Sequence, residues 1–247
     1  MTDLHHPTAL TAPTVLITGA NKGLGLETAR QLSARGCSIL LGARDPDLGQ
    51  RAADELSGRG GDVRFVQIDV TSDDSVAAAA AWVAEEIGAL DVLINNAGII
   101  GGAVGPLETT PSDFIACFGV NLLGPVRMTR AFLPLLGKAQ LPRIVMVSSG
   151  MGSMAVTTDP DRIESSIVSL VYPSSKAALN MVTTQYAKAL PGWKVNAVDP
   201  GYTATDLNGN RGHKTVEAGA AVIVDLALVG PDGPTGGFFD DAGPVPW

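Results

Sequence analysis

The sequence predicts an α/β fold: a Rossmann-type doubly wound parallel sheet, three layers deep (α/β/α), in a single domain. Three observations predict it. Short β-branched runs recur along the chain, and each is continuous rather than alternating, as in strands buried on both faces. Helical patterns fill the gaps, and strand alternating with helix gives right-handed crossovers that place helices on both faces of the sheet. The first strand runs into a glycine-rich turn that opens a helix, where unpaired backbone N–H groups can receive an anion.

The predicted strands are Val15–Ile17, Ile39–Leu41, Val63–Ile68, Val92–Ile94, Ile144–Val147 and Val195–Val198, with Phe238-Phe239 as a last strand at the sheet edge. The first helix covers Leu24–Arg35. The second, Pro46–Leu56, has Asp45 as its N-cap and Pro46 at its first position. Thr71–Ile87 is Ala-rich, with Ser72 or Asp73 as cap. Ser112–Leu136 reads as one long helix complicated by Pro125 and Pro134, and Tyr172–Leu190 and Thr215–Leu228 follow. Trp82 and Trp193 read as helix–sheet packing. Two stretches break the rhythm: the Gly-rich loop Gly98–Pro111 and the mixed-polarity stretch Gly150–Val171. Long loops at the carboxyl ends of strands are where ligands sit in this architecture. Residues 1–13 read as a flexible lead and 14–247 as the one domain.

Composition excludes several classes. The chain has 247 residues, 45% of them hydrophobic, enough for one sizeable core. Its net charge of −8 and the lack of a basic tract argue against duplex nucleic acid as a partner. Cys37 and Cys117 form neither a disulfide framework nor a metal cluster, so a reducing cytoplasm is the expected compartment. No apolar run is long enough to span a membrane. His5, His6 and His213 match no metal motif, so no metal is expected. Gly150-Met151-Gly152-Ser153 does not match the nucleophile elbow.

The turn after the first strand reads Thr18-Gly19-Ala20-Asn21-Lys22-Gly23-Leu24-Gly25. Its glycines allow a tight turn, close backbone approach to a diphosphate and close packing of helix on strand. The spacing is G-x-x-x-G-x-G, and the P-loop's G-K-[ST] is absent. At the end of the second strand, an acidic residue would hold the ribose 2′-OH of NAD, whereas an Arg suits the 2′-phosphate of NADP. Arg44 and Asp45 are adjacent here. Asp45 caps the helix that Pro46 opens, Gly42 and Ala43 offer no carboxylate, and Arg44 remains to fork onto a phosphate. Lys22 adds a second cation. NADPH/NADP is the expected cofactor.

Tyr172 and Lys176 are four residues apart on a helix, so they share a face. A phenol titrates near 10, too high for proton exchange near neutrality, and a neighbouring cation lowers it. Tyr172 is then a general acid for ketone reduction and a base in reverse. Ser148 or Ser149, at the end of a strand, can hydrogen-bond the oxygen on which charge develops. Asn121, in an apolar helix pattern, is an amide that needs partners.

Thr18-Gly-x-x-x-Gly-x-Gly25, Asn95-Asn96-Ala97-Gly98, Asn121, Ser149 and Tyr172-x-x-x-Lys176 occur in the order seen in classical short-chain dehydrogenases/reductases. The sequence resembles that family over about Val15 to Trp247. Gly19-Ala-Asn-Lys-Gly23, Gly42-Ala-Arg-Asp45 and the C-terminal Gly233-Pro-Thr-Gly-Gly-Phe-Phe239 resemble its carbonyl-reductase branch. The resemblance implies that Gly19, Asn21, Lys22, Gly23, Leu24 and Gly25 cradle the diphosphate and that Asp69 and Val70 border the adenine. Asn95, Ala97 and Gly98 would line the cofactor, and Pro200, Gly201, Thr203 and Thr205 would hold the nicotinamide. It picks Ser149 over Ser148, assigns Asn121 to a water relay and gives Lys176 the nicotinamide ribose. The implied activity is NADPH-dependent reduction of a ketone or aldehyde, with a small-molecule carbonyl compound as partner. Ser149 to Tyr172 spans 23 residues, longer than in many members and shorter than is usual in this branch. That insertion is expected to wall the substrate pocket with Met151, Met154 and Val156, and it leaves monomer and homodimer both open. Alternatives are a 3-oxoacyl-carrier-protein reductase, docking through Arg127, Arg130 and Lys138, and a non-catalytic NADPH sensor.

Overall fold

The structure, a computed structural model, describes residues 12–102 and 104–247. Most of the expected N-terminal lead lies outside the described residues. Its last member, Pro13, is already tied to the fold, because its carbonyl accepts from Ser38 N at 3.0 Å.

Eight strands form one sheet in the order β3-β2-β1-β4-β5-β6-β7-β8. They are β1 Thr14–Thr18, β2 Ser38–Ala43, β3 Val63–Gln67, β4 Val92–Asn95, β5 Arg143–Val147, β6 Lys194–Val198, β7 Phe238–Asp240 and β8 Gly243–Pro244. All neighbours are parallel except β7 and β8. The order reverses between β1 and β4, the switch point that opens a ligand crevice at the strands' carboxyl ends.

Side chains alternate across β1: Val15 and Ile17 enter one core, Leu16 the other. The first core is closed by α1 Gly23–Ala34, α2 Pro46–Gly58 and α8 Val216–Ala227, through residues such as Leu32, Leu56 and Ile223. The second is closed by α3 Asp73–Glu86, α5 Gly124–Leu136 and α7 Val171–Ala189, through Val83, Phe132 and Leu179. Leu16, Ile17, Leu32 and Phe132 are fully buried, each worth about 1.5–3 kcal/mol of apolar transfer. The predicted caps form: Asp45 accepts from Leu48 N at 2.9 Å, and Ser72, rather than Asp73, accepts from Ser75 N at 3.2 Å.

Three expectations need correction. Ser112–Leu136 is not one α-helix: α4 is Pro111–Phe118, a π turn runs Gly119–Leu123, and α5 follows. Pro125 has no N–H to return to Asn121, and the Gly124 N–H bonds the Gly119 carbonyl five residues back. Phe238-Phe239 is not the edge, because β8 folds back on β7 and occupies it. The insertion is not a plain loop: it holds a 3-10 turn at Gly150–Gly152, α6 Met154–Thr158 and a second 3-10 turn at Ile163–Ser166. Within it, Val156 does not wall a pocket. It is buried with Ala197, Phe238 and Val245, while Met154 points to solvent at 76% exposure.

Candidate active site

The glycine-rich turn between β1 and α1 is closed from behind by the segment after β4. Gly19 and Gly23 adopt φ of +63° and +54°, which a side chain resists. A Cβ on Gly25 would lie 2.5 Å from both the Gly19 carbonyl oxygen and Asn96 Nδ2. Asn96 Nδ2 donates to the Thr18 and Gly19 carbonyls at 2.8 and 3.1 Å, and Thr18 Oγ1 accepts from the Asn96 and Ala97 amides at 3.0 Å each. Asn96 was absent from the sequence-predicted site, although the Asn95-Asn96 doublet was its signal. No side chain caps the start of α1, and its first turn carries no acidic residue. Those free N–H groups and the positive helix end suit a diphosphate.

Arg44 is exposed at the end of β2 and enters no ion pair among the described residues. Asp69 faces it across the crevice edge. The Thr71 hydroxyl and amide donate to the Asp69 carboxylate at 2.6 and 2.9 Å; the hydroxyl bond, with Arg44 and Arg127 nearby, holds that carboxyl below its usual range. Val70 is buried, with its side chain 3.0 Å from where a Cβ of Gly124 would sit. Lys22 does not stand free: its ammonium pairs with Asp206 at 3.1 Å. The loop after β6 therefore reaches back over the glycine-rich turn, and Thr205 Cγ2 lies 3.6 Å from the Cβ position of Gly23. In that loop Thr203 is buried and donates to the Pro200 carbonyl at 3.0 Å, while Gly201 has φ +73°.

The first turns of α7 carry Tyr172 and Lys176. Lys176 Nζ lies 5.6 Å from the Tyr172 ring centre and donates to the Val147 carbonyl at 2.7 Å. The two serines after β5 have different tasks. Ser148 is buried and its hydroxyl is paired with Asn180 Oδ1 at 2.5 Å. Ser149 caps the 3-10 turn, accepting from Met151 N at 3.2 Å, and its hydroxyl is near enough to the Tyr172 phenol to pull its pKa down. Asn121 sits in the π turn with its amide fully engaged. Its Oδ1 accepts from Ile99 N at 2.9 Å, and its Nδ2 reaches the Ile99 carbonyl at 2.9 Å and Ser175 Oγ at 3.0 Å. Ser175 Oγ in turn donates to the Tyr172 carbonyl at 2.7 Å, so the π turn is laced to the turn that carries the phenol. Lys176 Nζ and Asn121 Oδ1 both approach Gly98, at 3.6 and 3.5 Å from its Cβ position. Asn95 donates to Met146 Sδ at 3.3 Å and keeps a buried, unpartnered Oδ1.

The electrostatics depart from expectation at one point. Burial pushes the Tyr172 phenol up to about 12; the Ser149 hydrogen bond pulls it down, and the charge of Asp199 pushes it further up. Lys176 is not among the groups that move it. The ammonium is itself brought down to about 8 by burial, only 4% of the residue being exposed. Burial dominates at both groups, so the phenol of the protein alone is not acidified.

Among the described residues, no group of three or more His, Cys, Asp or Glu is placed to hold a metal ion. No helix among them is long and apolar enough to cross a membrane.

The sequence model of the short chain dehydrogenase family matches residues 13–215. The chain is 34% identical to (-)-isopiperitenone reductase of Mentha piperita, over 91% of this chain and 95% of that one. Its fold is similar to the NADPH-bound carbonyl reductase of chicken fatty liver, with a TM-score of 0.84 and 31% identity over 96% of this chain and 100% of that one. Salutaridine reductase of Papaver somniferum is similar as well, with a TM-score of 0.80 and 29% identity over 93% and 99% of the two chains. The glycine cradle, the phenol–ammonium pair on one helix and these likenesses agree: the chain belongs to the short-chain dehydrogenase family.

Proposed function

We propose that this chain reduces a ketone or aldehyde to an alcohol with NADPH, using Tyr172 as the proton donor. The observation that carries the reading is the convergence of the Tyr172 phenol, the Ser149 hydroxyl and the Lys176 ammonium at the carboxyl ends of β5 and β6, beside a helix N-terminus left open to an anion. Gly98 and Thr203 would line the place of the nicotinamide, and NADPH when bound would supply the hydride. Ser149 hydrogen-bonds the substrate oxygen, and its donor strengthens as charge develops there. Tyr172 delivers its proton to that oxygen. At neutral pH the phenol of the protein alone carries the proton that it would donate. Lys176, anchored on the Val147 carbonyl, holds a hydroxyl of the cofactor's ribose and attracts the phenolate left behind. Asn121 fixes the π turn through Ile99 and Ser175, leaving its own carbonyl, which Pro125 cannot satisfy, for a water on a relay toward Lys176.

Arg44 supports NADPH over NADH, since among the described residues it enters no ion pair and it follows the second strand, where the adenosine 2′-phosphate would lie. The side chains flanking the site along the chain, Val168, Leu170 and Tyr202, are exposed and largely apolar, which fits a hydrophobic carbonyl compound. An acidic carrier protein finds less support. Arg127 is engaged with Asp73 and the Val70 carbonyl, and Lys138 donates to the Gly88 carbonyl at 2.7 Å. The test is NADPH consumption with a panel of cyclic and aryl ketones, with the alcohol identified as product. Tight NADPH binding with no turnover on any carbonyl would favour a sensor.

A further inference from the structure

Asp199, at the end of β6, belongs to none of the roles above, yet it is 5% exposed beside them. Its Oδ1 accepts from Gly201 N at 2.9 Å, in the loop after β6. Its Oδ2 lies 2.9 Å from where a Cβ of Gly150 would stand, in the 3-10 turn that Ser149 caps. Glu164 Oε1, from the insertion, approaches the same point to 3.1 Å. Arg162 pairs with Glu164 at 3.4 Å and feels Asp199 and Asp240 as well. Any residue but Gly at 150 would force this cluster apart.

We propose that Asp199 is a positioning residue of the active site: its carboxylate ties the Ser149 loop to the Gly201 loop, meets the insertion through Glu164, and places a fixed negative charge behind Tyr172 and Lys176. The assignment of roles to Tyr172 and Lys176 rests on the function proposed above; the electrostatic link itself does not. The charged groups that act on Asp199 or feel it are Glu164 and Arg162 from the insertion, Asp240 from β7, and Tyr172 and Lys176 from α7, the last two having Cys117 of α4 beside them as well. Lys214, paired with Asp241 at 2.8 Å, comes within 3.0 Å of the Gly201 Cβ position from the far side of that loop. Burial pushes the Asp199 carboxyl up, with Glu164 and Asp240 adding to it; the Gly201 and Gly150 amides oppose the rise. Where it is ionised, its charge holds protons on both the phenol and the ammonium. The insertion thereby gains a direct line to the proton chemistry of the site.

The test uses Asp199→Asn, which keeps the shape and the Gly201 hydrogen bond but removes the charge. In cofactor-free protein, the 13Cε resonance of Lys176, assigned by its loss in Lys176→Met, is titrated by NMR. Wild-type protein titrates near 8, and Asp199→Asn is expected to titrate at lower pH. In the alcohol-oxidising direction, the rise of kcat/KM with pH, which needs phenolate, is expected at lower pH in Asp199→Asn than in wild type. Glu164→Gln leaves Asp199 charged and is expected to keep the Lys176 midpoint in place or raise it. Should Asp199→Asn fail to fold, Gly150→Ala displaces both carboxylates and is expected to move the midpoint the same way by less. An unmoved Lys176 midpoint in Asp199→Asn overturns the proposal, as does an equal fall in Glu164→Gln. A moved midpoint in a protein with no turnover would spare the electrostatic link and count against the reductase reading alone.

Discussion

Lys176 donates to the Val147 carbonyl at 2.7 Å while its ammonium lies 5.6 Å from the centre of the Tyr172 ring, so the strand that leads to Ser149 also fixes the cation beside the phenol. That hydrogen bond joins β5 to α7 beside the phenol. It is a weak match for a buried charge, and this has a cost in stability.

That cost is measurable. With a folded value near 8 against 10.5 in the unfolded chain, Lys176 is charged in both states below pH 8, where the burial penalty is fully present. Between pH 8 and 10 the unfolded chain binds more protons than the native one, so this group makes stability rise with pH. Lys176→Met is expected to be more stable than wild type at pH 7. The gain has a ceiling of about 3 kcal/mol, less about 1 kcal/mol for the orphaned Val147 carbonyl, and it fades as pH rises. Urea unfolding midpoints from pH 7 to 10 check this. Above pH 10 the sign reverses, because Tyr172 keeps its proton to about 12 in the native state only.

Arg44→Leu is expected to weaken NADPH binding roughly 10- to 100-fold and leave NADH binding nearly unchanged, the loss of one charge-assisted phosphate contact. Fluorescence titration with each nucleotide measures it. Equal losses for both nucleotides would remove Arg44 from the 2′-phosphate.

Gly25→Ala drives a methyl into the Gly19 carbonyl and the Asn96 amide, both 2.5 Å from its position. Overpacking of this kind costs about 1–3 kcal/mol, and here the collision falls on the cradle itself. The expected outcome is a lower Tm together with loss of NADPH binding, read by calorimetry and titration.

Asn121→Ala strips the partner from the Ile99 amide and carbonyl and from Ser175. Each buried group left unpaired costs about 1–3 kcal/mol, so the variant is expected to melt well below wild type. A reduced kcat in whatever folded protein remains would show the π turn acting on Tyr172 through Ser175.

Much of this was legible in the sequence because the determinants are local. The continuous apolar runs gave six strands within a residue or two, since strands buried on both faces have no polar side to show. Asp45 caps as its place before Pro46 predicts, and of Ser72 and Asp73 it is Ser72 that caps, because capping is settled within four residues. What failed was settled by tertiary contact or by a local signal open to two readings. The π turn at Asn121 follows from Pro125 lacking an N–H, a signal visible in the sequence but readable as a mere kink. The destination of Val156 depended on β8, two residues long and without a periodic pattern. Tyr172 and Lys176 stand side by side on α7, as their spacing predicts, but the direction in which burial moves them required knowing how little water reaches them. Asp199 was passed over because it sits beside a Pro-Gly turn, where an aspartate is commonplace; its position directly after an apolar strand was the available hint.

The central claim is that the Tyr172 phenol donates the proton to a carbonyl oxygen. Steady-state NADPH oxidation with a reactive ketone, comparing wild type with Tyr172→Phe, tests it most directly. The account predicts a loss of kcat of about 10²- to 10⁴-fold, with NADPH binding retained. Equal turnover by the two proteins would contradict it.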